Sequence, residues 1–420
     1  MGWENRHKNC QLFIVDPMRI LFLSDNFPPE NNAPSYRTYE HCKEWVNKGS
    51  AVTVITCFPN FPNGKIFKGY KNKFYEKEVI DGINVIRIWT YISKNQGFLK
   101  RTLDYMSFSV MSFIFGLFQK CDIIIGTSPQ FFTVISASFL GFVKRKPWVF
   151  EVRDLWPESI VSVGMLNKKD IIYRLLEIIE LLLYKSAKKI IVVTNSFKKV
   201  IEKKGIKSYK IEVVTNGVIF EKFKPRKKNN KLLSDLNLNQ KIIVSYIGTH
   251  GMAHALNFIL RCAKKIDLIN IHFLFVGDGA EKNNLLKLKD ELKLTNVTFL
   301  PSVSKSKIND YISITDISLI NLKKDKNFET VIPSKIFENA SMKKPILLGL
   351  EGEAKKIIES YNAGIAFLPE DEKSFIHSLK CIIVKDNYSK FQLGCEKLAK
   401  DFDRKSLAIK MYKSLITCFN

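Results

Sequence analysis

At 420 residues the chain exceeds one usual domain and suggests two of roughly 200 each. Its 46% hydrophobic and 12% aromatic content supplies two apolar cores and excludes a disordered chain. The formal charge of +25 admits an anionic membrane surface, phosphorylated ligands or nucleic acid; the basic residues are mostly lysine, and without zinc-finger spacing or an RNP-like string no nucleic acid is expected.

Residues 1–17 fit no targeting pattern and read as an appendage or an upstream start. The eight cysteines (Cys10, Cys42, Cys57, Cys121, Cys262, Cys381, Cys395 and Cys418) form no C-x-x-C pair. With no signal peptide they read as reduced cytosolic thiols. From Arg19 the pattern is strand, loop, helix, repeated. Strands are predicted at 19–24, 51–57, 83–90, 121–126, 147–152, 189–194 and 211–214. Helices are predicted at 35–48, 99–119, 130–143, 168–187 and 196–204. Short apolar strands alternating with longer helices imply α/β architecture with parallel sheets covered on both faces.

The stretch 103–118 is nearly all apolar or small, with Lys100 and Arg101 at one end and Lys120 at the other. It is shorter than the ~20 residues a membrane span needs. It reads either as a buried helix or as a helix laid with one face in a bilayer surface. Residues 131–143, followed by Lys144-Arg145-Lys146, extend the same patch. Asn216-Gly217 reads as a turn closing an N-terminal domain, 18–221. The basic, polar run 222–231 opens an interdomain linker, 222–240, read as a solvated connector. A second wound set follows over 241–403, with strands at 241–247, 271–276, 296–300, 316–320, 345–349 and 363–367. Helices at 372–384, 388–400 and 404–418 close the chain. Ligands of open α/β sheets bind at the carboxyl ends of the strands. The site is therefore expected on loops after strands of both halves.

The segment 329–340 follows a strand and opens a helix. Pro333 suits a helix start, since its missing N–H costs nothing there. Ser334 can cap or bond the free amides. Lys335 and the helix dipole then face one spot that suits a diphosphate, and Glu338 lies one turn on, placed for a ribose diol. The alternative is a surface lysine and glutamate on an ordinary βα unit.

The opening segment, Arg19 to Glu30 with Ala33 to Arg37 after it, resembles the start of family four glycosyltransferases, as does Gly49 to Thr56. Glu151-Val152-Arg153-Asp154-Leu155-Trp156-Pro157-Glu158-Ser159 is similar to the subgroup that includes WbuB-type L-fucosamine transferases of bacterial surface polysaccharides. Val213 to Val218, Val244 to His254, Phe275 to Gly279 and 330–340 continue the match in order, from about Met18 onward. The resemblance implies the GT-B fold: two Rossmann-like doubly wound domains with an interdomain cleft, acceptor on the first and nucleotide sugar on the second. The last helix, 404–420, would cross back to the first domain.

It further implies retaining transfer of an N-acetylated hexosamine, best matched by N-acetyl-L-fucosamine, from a UDP-sugar. The acceptor would be a polyprenyl-diphosphate-linked saccharide of O-antigen or capsule, at the anionic inner face of the cell membrane. No metal and no other cofactor are expected. The rivals are a UDP-sugar 2-epimerase of the same fold and a non-catalytic nucleotide-sugar binding protein.

The family's E-x7-E motif puts its second glutamate on Glu338 and its first on Thr330. The glycine loop, Gly248-Thr249-His250-Gly251-Met252-Ala253-His254, lacks the usual cations: His254 matches the lysine position and Thr249 the arginine, leaving Lys335 to compensate. His250 can donate if protonated or correctly tautomeric. Gly248 and Gly251 allow close backbone approach, and Gly277 and Gly279 read either the same way or as a plain turn. By resemblance the backbone at 299–302, with Pro301, reads the base. The family's His-Asp pair falls on Arg153-Asp154. Asp154 is the acidic candidate, Arg153 an anion holder or orienter, and Glu158 a further candidate. Trp156 reads equally as loop core or sugar platform. Arg37 is expected to face the acceptor, and Glu30 reads as solvated charge.

Overall fold

The computed structural model describes residues 17–30, 32–61, 64–92, 98–128, 130–162, 167, 169–266 and 270–419; the expected extension over 1–16 lies outside them. Two compact units divide the chain, one ending at Phe150 and the other beginning at Glu151.

The first unit runs β1 (Arg19–Leu23), α1 (Ala33–Asn47), β2 (Ala51–Cys57), β3 (Tyr75–Ile80), β4 (Ile83–Ile88), α2 (Phe98–Leu117), β5 (Ile123–Thr127) and α3 (Phe131–Lys144), and ends within β6 (Trp148–Val152). Its strands lie in the order β3-β4-β2-β1-β5-β6. β1 pairs in parallel with β2 (Leu21 opposite Thr53) and with β5 (Leu21 opposite Ile124). Strands buried on both faces need apolar side chains on both, which explains their continuous apolar runs. Asn32 starts α1 by accepting a 2.8 Å bond from the Ser35 amide.

The parallel reading fails at one edge. β3 was not predicted, and it pairs antiparallel with β4 (Tyr75 opposite Ile88). Asp81 and Gly82 turn the hairpin with φ of 47° and 79°, the left-handed pair a two-residue hairpin turn demands. The strand alternates exposed and half-buried residues, so it carries no apolar run. α2 buries one face and leaves apolar side chains exposed on the other. Phe108, Met111 and Ser112 are buried, while Leu103, Met106, Val110, Ile114 and Phe118 stand exposed. Phe139, Phe142 and Val143 near the end of α3 are exposed too.

The second unit contains α4 (Glu158–Ser162), α5 (Ile171–Ser186), β7 (Lys189–Val192), α6 (Asn195–Lys203), β8 (Ile211–Val213), α7 (Asn230–Asp235), β9 (Ile242–Ile247), α8 (Leu256–Lys265), β10 (Ile271–Val276), α9 (Lys282–Glu291), β11 (Val297–Leu300), α10 (Lys305–Ile314), β12 (Ile317–Asn321), α11 (Lys335–Ser341), β13 (Ile346–Gly349), α12 (Glu353–Tyr361), β14 (Gly364–Ala366), α13 (Glu372–Ile382), α14 (Lys385–Asp401) and α15 (Arg404–Ile416). A six-stranded parallel sheet runs β11-β10-β9-β12-β13-β14. All residues of β10, β12 and β13 are buried.

The basic run 222–231 is mostly exposed, while the rest of the 222–240 stretch packs: α7 buries Leu233, and Leu238 follows, against Leu274, Val276 and Ile314. One expectation changes here. Asn216-Gly217 is not a turn. The chain there runs on to a bridge between Val218 and Asp403, and a Cβ on Gly217 would lie 2.1 Å from the Phe402 carbonyl oxygen. The glycine is required by backbone contact. Beside it, α15 packs on β7, and Arg404 donates to the Gly217 carbonyl at 2.7 Å. Lys410 donates to the Val213 carbonyl at 2.7 Å. The last helix thus returns to the strands of the chain's first half.

Candidate functional site

The carboxyl ends of β9, β10 and β12 carry a compact cluster built around Tyr246. β9 stops at Ile247, and Gly248 continues with φ of 145°, its amide donating to the Val276 carbonyl at 2.8 Å. Gly277 has φ of 152°, and a Cβ there would lie 1.9 Å from the Gly248 oxygen. Two loops therefore touch backbone to backbone, which only glycine permits. The His250 amide donates to Asp278 and its carbonyl accepts from Glu281. Tyr246, 1% exposed, donates from its hydroxyl to the Thr249 carbonyl at 2.8 Å. Asn321, at the end of β12, donates to the His254 carbonyl at 2.8 Å. The loop 248–255 is thereby held from both sides.

Lys335 reaches this loop from the start of α11. Its ammonium lies 4.0 Å from the Tyr246 ring centroid, and its side chain covers Gly248 so closely that a Cβ there would be 2.2 Å from Nζ. Burial lowers its pKa to about 8, with Glu338 opposing the shift. No hydrogen-bond acceptor is recorded for Nζ among the described residues, so the cation is held by an aromatic face. A desolvated ammonium of this kind gains when an anion arrives. Ser334 does not cap: it is already helical and makes no side-chain cap bond, so α11 starts after it with seven residues. A helix this short has a weak dipole, and Lys335 is the cation that α11 brings to the loop.

His250 is fully buried with neither ring nitrogen bonded, and burial, Lys282 and Lys335 push its pKa down to about 4. It is neutral at pH 7 and offers one N–H, which removes the protonated option. His254 is also lowered, by burial and then Lys335. Its Nδ1 has no hydrogen-bond partner among the described residues. Phe299 stacks on Phe275 at 4.8 Å between centroids and meets the His250 ring edge-on, and exposed Pro301 follows. Lys282 escaped the sequence reading. Its ammonium donates to the Gly277 carbonyl at 2.6 Å and the Leu300 carbonyl at 2.8 Å, tying two strand ends. Its place at the first position of a helix after a glycine loop was the available signal.

Thr330 ends the short 3-10 turn Lys326–Thr330, half-buried, while Glu329 beside it is exposed. Arg153 and Asp154 follow β6. Asp154 is exposed by surface area, yet burial of its carboxyl raises its pKa, with Arg153 opposing. Such a carboxyl is crowded by protein and open on one side. Glu158 begins α4 and accepts from Lys204 at 2.8 Å, and Lys204 also holds Glu180. Arg37 lies in the first unit on α1 and is 3% exposed.

A second cluster sits at the carboxyl edge of the first unit's sheet, and the sequence reading missed most of it. Glu30, read as solvated charge, is 2% exposed, because its Oε1 accepts from the amides of Asn60 and Phe61 at 2.8 and 2.9 Å. Burial raises its pKa to about 7. Asp25 accepts from Gln130 through Oδ2, while Oδ1 is buried without a partner among the described residues. Burial raises its pKa to about 6, with Gln130 and Cys57 opposing. Nothing in the spacing of Asp25 and Gln130 predicts their meeting.

Both carboxyls bind a proton more readily folded than unfolded. Their effect is therefore a loss of stability as pH rises, from the ordinary carboxyl range through about 6 for Asp25 and about 7 for Glu30. Asp25→Asn should remove on the order of 2 kcal/mol of that pH-dependent loss. Urea denaturation at pH 4.5 and 7.5 (roughly either side of the raised range) checks it: the variant should gain on wild type at the higher pH. Equal shifts would mean that Asp25 ionises as in the unfolded chain.

Comparison with known proteins follows the two halves. The model of Glycosyltransferase Family 4 matches residues 35–222, and that of Glycosyl transferases group 1 matches residues 228–392. The chain is 25% identical over 328 residues to the putative colanic acid biosynthesis glycosyl transferase WcaI of Escherichia coli (strain K12), covering 76% of this chain and 80% of that protein. It is 23% identical over 257 residues to the probable glycosyltransferase WbjE of Pseudomonas aeruginosa, covering 60% of this chain and 64%, less than two thirds, of that one. Among solved structures, Anabaena HepE in complex with UDP superimposes with a TM-score of 0.69 at 15% identity, over 95% of this chain and all of that chain (100%). WaaG, a glycosyltransferase involved in lipopolysaccharide biosynthesis, gives 0.65 at 13% identity, over 93% and 98%. At these identities the structural likeness shows the fold alone, and that fold is GT-B.

Proposed function

The chain is a glycosyltransferase of GT-B fold, matching family 4 in its first half and group 1 in its second, and we propose that it transfers an N-acetylated hexosamine from a UDP-sugar to a lipid-linked saccharide. The product would enter a bacterial surface polysaccharide, as the names of the WcaI and WaaG relatives suggest for those proteins. N-acetyl-L-fucosamine is the sugar favoured by the Arg153-to-Ser159 resemblance.

One observation carries the reading. A desolvated Lys335 ammonium, with no hydrogen-bond acceptor among the described residues, faces the Gly248 loop at the carboxyl edge of the sheet, where a nucleoside diphosphate binds an open α/β fold. In a retaining transfer the bond from the anomeric carbon to the β-phosphate oxygen breaks, and the acceptor oxygen bonds to the same face. The leaving phosphate oxygen takes the acceptor proton, so no strong protein base is needed. The new charge on UDP falls to Lys335 and the amides of 248–251. Thr249, His254, Gly277, Pro301 and Ser334 complete the donor site, with Glu338 at the ribose and Thr330 as a neutral hydroxyl by the sugar. Arg153 and Asp154 stand nearest the acceptor chemistry in this reading, with Arg37 on the acceptor side. Glu158, held by Lys204, is the candidate with a structural occupation as well.

In this reading Lys335 and the loop amides take the place of a divalent ion, so activity should survive EDTA. A large loss restored by Mg²⁺ or Mn²⁺ would contradict that. The location proposed is peripheral, on the inner face of the cell membrane. No helix among the described residues is long and apolar enough to cross one, and the exposed faces of α2 and α3 supply apolar surface for attachment.

A donor panel tests the function. UDP-N-acetyl-L-fucosamine should be turned over fastest, with slower use of UDP-GlcNAc or UDP-GalNAc, because a site built around an absent hydroxyl rejects a sugar bearing it weakly. Exclusive use of a GDP-sugar or an unacetylated hexose would sink the substrate assignment. Conversion of the UDP-sugar itself without transfer would favour an epimerase.

A further inference from the structure

The outer face of α5 carries Ile171, Leu175, Ile178 and Leu182, which are 85, 55, 58 and 59% exposed. Steps of four, three and four residues put them in one stripe. The inner face takes the acid: Glu180 is 1% exposed and bonds to Lys204 at 2.5 Å and to the Tyr184 hydroxyl at 2.6 Å. Tyr173, Leu183 and Tyr184 are buried beside it, so α5 has apolar side chains inward and outward, and a contiguous exposed stripe of this kind marks an interaction surface. Lys169, Arg174, Lys185 and Lys188 are exposed around it. A two-fold pairing of copies through this face would set like basic rims against each other. An anionic bilayer meets both features, headgroups facing the rim and acyl chains the stripe.

We propose that α5 lies along an anionic membrane surface with Ile171, Leu175, Ile178 and Leu182 in the headgroup–acyl boundary. This deepens the membrane-facing reading above and rests on it, since the whole protein must then bind bilayers.

Sedimentation of the full chain with vesicles of phosphatidylcholine and phosphatidylglycerol tests it. Ile178→Glu with Leu182→Glu should lower partitioning about tenfold or more. The milder Ile171→Ser with Leu175→Ser should lower it less, with UDP binding and the thermal melt unchanged in both. Arg174→Gln with Lys185→Gln should flatten the salt dependence. Met106→Glu with Val110→Glu on α2 is the comparison arm. Wild-type binding that α5 variants leave intact while α2 variants abolish it would overturn the proposal and keep the membrane-facing reading. Wild-type indifference to vesicles would overturn both. A dimer that α5 variants convert to monomer, with vesicle binding unchanged, would assign the face to a second copy and overturn the proposal.

Discussion

Lys335→Ala should lower UDP affinity or transfer rate roughly 10–150-fold, the loss of one charge-assisted contact of about 1.5–3 kcal/mol. The lysine is costly to keep where it is. Burial holds its pKa down to about 8, against the usual 10.5. A protein that desolvates an ammonium against Tyr246 and Gly248 loses stability below that pKa, and a bound diphosphate would offset the loss. The sign follows for pH. The cation is present below about 8 and lost above it, so UDP affinity of the wild type should fall as pH rises past that point. The alanine variant should show no such fall. Glu338→Gln should weaken nucleotide binding through the ribose at all pH values. Titration calorimetry with UDP decides both, and wild-type affinity in both variants would remove this segment from the donor site.

Gly277→Ala should destabilise the second unit by about 2–4 kcal/mol and take donor binding with it. Two penalties combine. The φ of 152° is one that side chains rarely adopt, and the new Cβ would lie 1.9 Å from the Gly248 oxygen, a backbone atom that cannot swing aside. Relief requires the loops after β9 and β10 to separate, which carries His250 and the wall facing Lys335 with them. Gly205→Ala is the control. Its φ is 86° but nothing lies within 4 Å of the added carbon, so only the conformational cost of about 1 kcal/mol should appear. Urea denaturation compares them. Equal costs for the two would mean that the loop contact at Gly277 relaxes freely.

The contrast between what was legible and what was not has physical causes. The central strands were readable because burial on both faces forces continuous apolar runs, as at Ile123 to Ile125 and Phe273 to Val276. β3 was not, because an edge strand with one half-buried face has no such run; its Asp81-Gly82 turn was the signal overlooked. The position of Lys335 at a helix start was legible from Pro333 before it, since local chain order set the geometry. Its seat on Tyr246 was not, because 89 positions separate the two in sequence. Glu30 misled for the same reason: the amides of Asn60 and Phe61 that bury its carboxylate belong to another loop. The sequence placed a helix at 168–187 without assigning its faces. Only exposure separates a stripe that packs inward from one that faces out.

Mass spectrometry of lipid-linked saccharides from cells with and without the protein tests the transferase reading most directly. Without it, a lipid-linked precursor lacking one N-acetylated deoxyhexosamine should accumulate, and a wild-type gene should restore the full species while Lys335→Ala restores it poorly. An unchanged lipid-linked profile, with the change confined to the free nucleotide-sugar pool, would contradict transfer to a lipid-linked acceptor.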